Sequence, residues 1–246
     1  MRLLTYNIRQ GGLGREEALA AVIRDAAADL VVLQEATNPR VVEGLARETG
    51  MAGWGARAGH SLGFLSRHPV ADAQWRRPRV SRHAFLEIVP AGAAWRIFGV
   101  HLSAVHAAWT ERRRLYELRA LLATVARRQQ GPHALLGDFN TLAPGELLDV
   151  RALPARLRAL VWLSGGRVRW RTIQAVLDAG YADAFRHRHP DRVGSTFPTW
   201  RPHVRLDYLF VPSAYVDRVE VCEVLDSDVI RGASDHHPLL GTLRPS

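Results

Sequence analysis

The sequence predicts an α/β (α+β) fold, and three observations support that prediction. Apolar runs of strand length alternate with segments of helical apolar spacing towards both ends of the chain. Between them, residues 62–102 contain a series of strand-like runs joined by short turns. No stretch rich in Pro, Ser and Gly divides the 246 residues, which are enough for one large core. We therefore expect a single domain spanning residues 1–246.

In the first half, each element follows from its apolar pattern. The predicted elements are a strand at Leu3–Ile8, a helix with Leu19, Val22, Ile23 and Ala26 on one face, a strand at Leu30–Leu33, a helix at Pro39–Thr49, and a meander of strands at Leu62–Leu65, Val70–Trp75, Phe85–Val89 and Ala94–Leu102. The loop Gln10-Gly11-Gly12-Leu13-Gly14 could wrap a phosphate. Because the pattern of a dinucleotide site does not follow it, we predict a plain strand-to-helix connection.

The second half repeats the alternation of helix and strand. The predicted elements are a helix capped by Thr110 and ending at Arg128, a buried strand at His133–Leu136, helices at Ala155–Leu163 and Thr172–Ala179, and strands at Arg205–Val211, Val219–Val224 and up to Leu243. The segment from Leu157 to Trp170 contains Trp162 and several Arg residues. Two interpretations stay open: a surface helix packed on the core, or a basic lip that touches a polyanion or a membrane.

The composition narrows the class of protein. The formal charge of +9 comes entirely from Arg, because the chain has no Lys. A basic chain favours a polyanionic partner such as nucleic acid, although a bias in coding composition would also raise the charge. The absence of Lys excludes a Walker-type phosphate loop and Schiff-base chemistry. The single Cys222 excludes an intramolecular disulfide and a Cys-based zinc site, so we expect a core residue.

The lengths of the apolar runs indicate where in the cell the protein is expected to work. The longest are well short of the ~20 residues of a membrane span. No charged and then apolar leader precedes the first strand, since strand-like residues begin at Arg2. We expect a cytoplasmic monomer.

Polar residues follow several of the predicted buried strands. Asp138 and Asn140 come after Gly137, which we expect to let the chain turn out of the sheet, and Glu35 and His101 end other strands. Such residues are often turn formers or solvated strand ends. Together they would present oxygen and nitrogen atoms to a phosphate and a divalent ion.

An acidic residue interrupts a strand near the end of the chain. Asp207 lies in the apolar run Arg205–Val211, where a buried carboxylate needs a hydrogen-bond partner. His236 lies just before the last strand. The two would form an imidazole oriented by a carboxylate, an arrangement suited to general-base catalysis.

The order of these motifs resembles the endonuclease/exonuclease/phosphatase superfamily, which has the DNase-I-like fold. The matches run along essentially the whole chain: Thr5-Tyr6-Asn7-Ile8, Leu33-Gln34-Glu35, Ser66-Arg67-His68-Pro69, Val100-His101-Leu102, Gly137-Asp138-Phe139-Asn140, Arg205-Leu206-Asp207-Tyr208 and Ser234-Asp235-His236. The resemblance implies a four-layer α/β/β/α sandwich of two packed mixed sheets flanked by helices, with the site at one end.

The resemblance also implies a metal site. Glu35 is expected to bind Mg²⁺ or Mn²⁺ directly, with Asn7, the Asp138 region and water completing the site. Asp235 is expected to support the metal region.

Catalytic roles are implied in the same way. His236, oriented by Asp207, is expected to activate water for in-line attack, and Asp138 to position that water or the metal. Asn140 is expected to hydrogen-bond the phosphate. His101 resembles the strand-end His of the DNase I and sphingomyelinase branches, where it faces the phosphate and helps the leaving group.

These expectations lead to a metal-dependent phosphodiester hydrolase, with nucleic acid as the first choice of substrate. Exonuclease III and its AP-endonuclease relatives resemble the chain less well, because they usually lack His at the position of His101. One alternative keeps the chemistry and changes the substrate to a phospholipid or a phosphorylated small molecule. Another is a polyanion-binding protein without catalysis.

Overall fold

The structure is a computed structural model that describes residues 1–78, 81, 84–104, 108–129, 131–146, 158 and 170–245. The strands are β1 (Arg2–Asn7), β2 (Leu30–Gln34), β3 (Gly53–Ala56), β4 (Leu62–Ser66), β5 (Val70–Arg76), β6 (Phe85–Pro90), β7 (Arg96–His101), β8 (His133–Asp138), β9 (Tyr181–Asp183), β10 (Asp207–Pro212), β11 (Val219–Val224) and β12 (Leu239–Leu243).

The described residues also form helices. They are α1 (Glu16–Ala26), α2 (Pro39–Thr49), α3 (Ala108–Arg128), α4 (Arg171–Asp178), α5 (Ala184–Arg188) and α6 (Asp228–Ala233), with short 3₁₀ helices at Gln10–Gly12 and Ser213–Arg218. The predicted helix at Ala155–Leu163 lies outside the described residues except for residue 158. The same holds for the segment from Leu157 to Trp170 except for residues 158 and 170.

Local signals explain where α2 begins and ends. Asn38 caps it by accepting a hydrogen bond from the amide of Arg40 at 3.1 Å, and Pro39 occupies the first position, where no backbone donor is needed. Gly50 ends it with a φ of 67°, a conformation that favours glycine.

Two six-stranded mixed sheets form the centre of the fold. The strand orders are β11-β12-β1-β2-β4-β3 and β5-β6-β7-β8-β10-β9. Each sheet has one parallel pair, β1 with β2 and β7 with β8, and its other pairs are antiparallel. Both parallel pairs are joined through a helix, α1 or α3, as parallel strands require.

Three apolar clusters separate the layers. One lies between the sheets and includes Leu3, Val32 and Leu136, together with the buried Cys222. A second packs α1 and α2 on the outer face of the first sheet, and a third packs α3 and α4 on the outer face of the second. The predicted DNase-I-like α/β/β/α sandwich is therefore confirmed, and Cys222 is a core residue as expected.

Three details differ from the expectations. The predicted meander is divided, since β4 pairs with β2 and β3 while β5, β6 and β7 belong to the other sheet. The chain changes sheets at Ser66–Pro69, where the amide of Arg67 donates to the carbonyl of Asp29 at 2.8 Å. Thr110 does not cap α3 but lies inside it with a buried side chain. The short edge strands β3 and β9 were not predicted.

Candidate active site

The predicted site residues meet at one end of the two sheets because of strand direction. Asn7 ends β1 and Glu35 directly follows β2, and these strands are parallel. His101 and Asp138 end the parallel strands β7 and β8 and are register partners. Asp207 begins β10, which is antiparallel to β8, and is also paired with Asp138. Carboxyl ends of parallel strands are a common place for ligand sites in α/β proteins.

Asn7 connects the two sheets at this end. Its amide Nδ2 donates to Oε1 of Glu35 at 3.3 Å and to Oδ2 of Asp138 at 3.1 Å. Its Oδ1 accepts from the backbone amide of Arg9 at 3.0 Å. In this orientation Asn7 bridges the two carboxylates, and the second lone pair of Oδ1 could bind a cation while the contact with Arg9 is kept.

Glu35 is held by an unusual stretch of backbone. Its Oε2 accepts from the amide of Gln10 at 2.6 Å, and its carbonyl accepts from the amide of Gly11 at 2.9 Å. Arg9, Gln10 and Glu35 have φ values of 51°, 50° and 55°. Non-glycine residues with positive φ are strained and often occur at functional sites.

Asn140 shares that strained conformation, with φ of 52°. Its backbone amide donates to Oδ1 of Asp138 at 2.8 Å, and its Nδ2 donates to the carbonyl of Leu102 at 2.9 Å. A side-chain amide nitrogen carries two hydrogens. The second hydrogen of Asn140 can therefore donate to a phosphate oxygen, as the prediction for this residue requires.

Gly137 does not turn the chain out of the sheet as we expected. It lies inside β8 with φ of 149°, and a Cβ at this position would lie 1.8 Å from the carbonyl oxygen of Val100 on β7. Glycine is required here because the two strands approach closely. The close approach places His101 beside Asp138.

The predicted Asp207–His236 pair is formed. Nδ1 of His236 donates to Oδ2 of Asp207 at 2.9 Å, and both residues are buried. Thr196 holds the backbone of both partners in place. Its Oγ accepts from the amide of Asp207 at 3.3 Å, and its carbonyl accepts from the amide of His237, the residue next to His236, at 2.7 Å. Oδ1 of Asp207 is buried and has no hydrogen-bond partner among the described residues.

Asp138, Asp207 and His236 form a group that could hold a metal ion. One ligand atom from each lies within 4.8 Å of the others, and all three residues are buried. Oδ2 of Asp138 is 3.9 Å from Nε2 of His236 and 3.9 Å from Nε2 of His101. Of the metal ligands predicted from sequence, Asp138 belongs to this group, and Glu35 is joined to it through Asn7.

Burial and charge shift the pKa values of two members. Burial raises the pKa of Asp138 to about 7, with a further rise from the charge of Asp207 and an opposing effect from His236. Burial alone would lower the pKa of His236, but the charge and hydrogen bond of Asp207, with the charge of Asp138, raise it to about 9. The site therefore carries an imidazolium at neutral pH when no cation is bound.

Asp235 forms an ion pair with Arg9. Its Oδ2 lies 3.5 Å from Nε of Arg9. The neighbouring Ser234 donates through Oγ to the carbonyl of Asn7 at 2.6 Å and thus connects the last motif to β1. The expected support of the metal region by Asp235 stays a prediction.

The sequence assigns no role to some residues at the site. Ser234 lies inside the motif Ser234-Asp235-His236 and Arg9 directly follows the motif Thr5-Tyr6-Asn7-Ile8, so their positions are visible in the sequence although their contacts are not. Thr196 and Phe197 are separated from every motif, and no local pattern marks them. Only the fold brings Thr196 within hydrogen-bond distance of the Asp207 amide and places the Phe197 ring 4.8 Å from that of His236.

A cavity of about 450 Å³ lies beside the site without including it. It is lined by Leu142, residues 144–146, 190–195 and 203–205, and Arg186, and no predicted site residue is among them. Arg205 in its wall donates to Asp183 at 2.6 and 2.9 Å and to Glu146 at 2.7 Å. This buried guanidinium is therefore neutralised by protein carboxylates.

The described residues contain no helix of the length and apolarity needed to span a membrane.

Comparisons with known proteins agree with this geometry. The family model described as Endonuclease/Exonuclease/phosphatase family matches residues 4–236. No curated protein sequence matches the chain.

Several solved structures have the same fold, and each aligns with this chain over almost the full length of both proteins. The 3′ phosphatase NExo from Neisseria, bound to product DNA hairpin, is 19% identical with a TM-score of 0.75, over 99% of each chain. An AP endonuclease from Archaeoglobus fulgidus is 15% identical with a TM-score of 0.77, over 99% of each chain. The 3′-5′ exonuclease NExo from Neisseria meningitidis is 18% identical with a TM-score of 0.71, also over 99% of each. At these identities the likeness establishes the fold and leaves the branch open.

Proposed function

The chain belongs to the endonuclease/exonuclease/phosphatase family, and on that basis we propose that this phosphoesterase is a divalent-metal-dependent phosphodiesterase that cleaves DNA or RNA. The observation that carries the proposal is the buried group of Asp138, Asp207 and His236, joined through Asn7 to Glu35. Phosphodiester hydrolysis needs an activated water and compensation of phosphate charge, and this set of residues supplies both.

The residues present fit a hard divalent cation such as Mg²⁺ or Mn²⁺. Glu35 and Asp138 offer carboxylate oxygens on either side of the Asn7 amide, and Oδ1 of Asp207 is buried without a hydrogen-bond partner among the described residues. Oxygen ligands are the ones that Mg²⁺ prefers. A cation held there would offset the charge of the phosphate and polarise its P–O bonds.

The side chains around the phosphate have separable tasks. His236 accepts a proton from the attacking water at Nε2, while Asp207 fixes the ring through Nδ1. The negative charges of Asp207 and Asp138 raise the pKa of His236, and a bound cation would offset them, so it would lower that pKa and favour a neutral imidazole that can accept a proton. Asp138 orients the water, Asn140 donates to the phosphate, and His101 assists the leaving group.

Nucleic acid is the favoured substrate class because of charge. The chain carries +9 at neutral pH, and a cationic protein attracts polyanions through phosphate contacts. The related 3′ phosphatase NExo from Neisseria has been solved bound to a DNA hairpin, which supports DNA as a first substrate to test.

A panel assay tests the proposal. We expect the purified protein, with Mg²⁺ or Mn²⁺, to cleave single-stranded or duplex DNA or RNA and to hydrolyse bis-p-nitrophenyl phosphate, with loss of activity in EDTA. Hydrolysis of bis-p-nitrophenyl phosphate without cleavage of either nucleic acid would contradict the choice of substrate. Inactivity on all of these would contradict the phosphodiesterase proposal itself.

A phospholipid or a phosphorylated small molecule is the alternative substrate. It rests on the basic segment from Leu157 to Trp170, of which the structure describes residues 158 and 170, and Trp170 is 43% exposed. Sphingomyelin and inositol phosphates belong in the panel for this reason. Liposome binding that is unaffected by Trp162→Ala and Trp170→Ala would argue against a membrane role of this segment.

A further inference from the structure

The loop at residues 196–204 is fixed to the catalytic residues. Phe197 and Val204 form an antiparallel bridge that closes it. Thr199 donates through its amide to the carbonyl of Asp235 at 3.0 Å and through Oγ to the carbonyl of Ser234 at 2.9 Å. Because these bonds join the loop to the segment that carries His236, the loop has a defined position relative to that residue.

This loop carries an aromatic pair, the partly buried Phe197 and the exposed Trp200. Phe197 packs on Leu142, Val204 and Leu206, with its ring 4.8 Å from the imidazole of His236. The ring of Trp200 is 6.3 Å from that of Phe197 and is 68% exposed. Trp is a largely apolar side chain, and such exposure beside a catalytic histidine indicates a surface that a ligand covers.

Two exposed arginines lie on the segments that hold this loop. Arg201 follows Trp200 in the chain and is exposed. Arg9, with a side chain 47% exposed, contacts Asp235, whose carbonyl accepts from Thr199. Arginine beside an exposed aromatic ring is the combination by which proteins hold a phosphate backbone while a base stacks on the ring.

From this arrangement we propose that Trp200 is a stacking platform for a nucleobase next to the scissile phosphate, with Phe197 as the residue that positions it. The inference rests on the proposed function and deepens it, because a base inside a duplex is already stacked on both of its faces and cannot also lie on this ring. The preferred substrate is then single-stranded or frayed nucleic acid rather than an intact duplex.

Binding measurements separate stacking from charge. Labelled oligothymidylate is compared with an oligomer of equal length built from tetrahydrofuran nucleotides, which keeps the phosphates and lacks the bases. EDTA prevents cleavage during fluorescence anisotropy. We expect Trp200→Ala to raise the Kd for oligothymidylate roughly 10- to 100-fold and to leave the Kd for the base-free oligomer within about twofold. Trp200→Phe should retain most of the affinity for oligothymidylate.

Trp54→Ala is the matched control. Trp54 is 39% exposed and lies on the edge strand β3, with no contact to the site among the described residues. Its replacement should leave both Kd values unchanged. Equal losses on both oligomers in Trp200→Ala, or no loss on either, would overturn the inference.

Activity and membrane assays distinguish the remaining outcomes. If the wild type cleaves nucleic acid and Trp200→Ala behaves as Trp54→Ala does, the platform is refuted while the proposed function stands. If the wild type hydrolyses bis-p-nitrophenyl phosphate and neither binds nor cleaves nucleic acid, both fail. If Trp200→Ala loses binding to vesicles containing anionic phospholipid and keeps its affinity for oligothymidylate, the ring contacts a membrane and the platform is refuted.

Discussion

Glu35 and Asp138 lie at the ends of comparable strands in the two sheets, yet the protein holds them differently. Glu35 is partly exposed, follows β2 in a strained conformation, and is held by the amides of Gln10 and Asn7. Asp138 is buried inside the paired strands β7, β8 and β10, beside Asp207 and His236. We call the end of the site at Glu35 the loop side and the end at Asp138 the buried side. Substitutions on the loop side can leave the core intact, whereas substitutions on the buried side affect both the chemistry and the stability of the fold.

Removal of one functional group from each side tests whether both serve one transition state. We expect Glu35→Ala and His236→Ala each to lower kcat/KM by roughly 10³-fold or more, because charge compensation and proton transfer are both lost. The double variant should be little worse than either single variant. Glu35→Ala alone should also abolish most of the metal affinity measured by calorimetry.

Two surface variants control for nonspecific effects. Glu43→Ala on α2 and His187→Ala on α5 replace the same residue types away from the site and should keep full activity. Activity of Glu35→Ala or His236→Ala at the level of these controls would remove the role assigned to that residue.

Asp207→Asn probes the buried side alone. The variant keeps the shape of the side chain but loses the charge that orients His236 and raises its pKa. We expect a loss in kcat of roughly 10²- to 10³-fold. In the metal-free protein, NMR titration should give a His236 pKa of about 9 in the wild type and a clearly lower value in the variant. An unchanged pKa would mean that Asp207 does not control the imidazole.

Gly137→Ala tests whether the buried side depends on strand packing. A Cβ there would meet the carbonyl oxygen of Val100 at 1.8 Å, so β7 and β8 must separate. We expect a loss of about 3 kcal/mol in the free energy of unfolding by chemical denaturation.

Gly44→Ala is the control, and we expect it to raise the free energy of unfolding rather than lower it. Gly44 lies in the interior of α2, where a Cβ would meet nothing within 4 Å. Because alanine favours a helix over glycine, this variant should gain about 0.5–1 kcal/mol. A similar effect at the two positions would show that the close contact of β7 and β8 is not what requires glycine.

The same contrast explains which parts the sequence could predict. Strand ends such as Glu35, Asp138 and Asp207 were visible because an apolar run marks each strand and a charge interrupts or ends it. The pairing of Asp207 with His236 followed from the need to satisfy a buried carboxylate, and the structure confirms it.

Other features depend on contacts between distant segments. The assignment of β4 to the first sheet depends on its pairing with β2, and a glycine in a strand resembles a turn until Val100 is placed beside it. The orientation of the Asn7 amide and the support from Thr196 likewise arise only when the two sheets meet.

The pH dependence of stability gives the smallest and most specific test of the comparison. The pKa of Asp138 is raised to about 7, so the folded metal-free protein holds a proton that the unfolded chain releases near pH 4, and stability falls as the pH rises from about 4 to 7. His236, with its pKa raised to about 9, contributes stability below about pH 6.5 that is lost as the pH rises through 9.

Asp138→Asn removes the first of these effects together with a buried charge. In EDTA at pH 8, we expect the variant to be more stable than the wild type by roughly 2–3 kcal/mol in the free energy of unfolding, and the difference should vanish near pH 5. Added Mg²⁺ or Mn²⁺ should reverse the order, because a cation that binds only the folded wild type stabilises it. A variant that is no more stable at pH 8 would mean that the buried carboxylate is not the destabilising group. If metal failed to reverse the order, Asp138 would lose its place among the ligands.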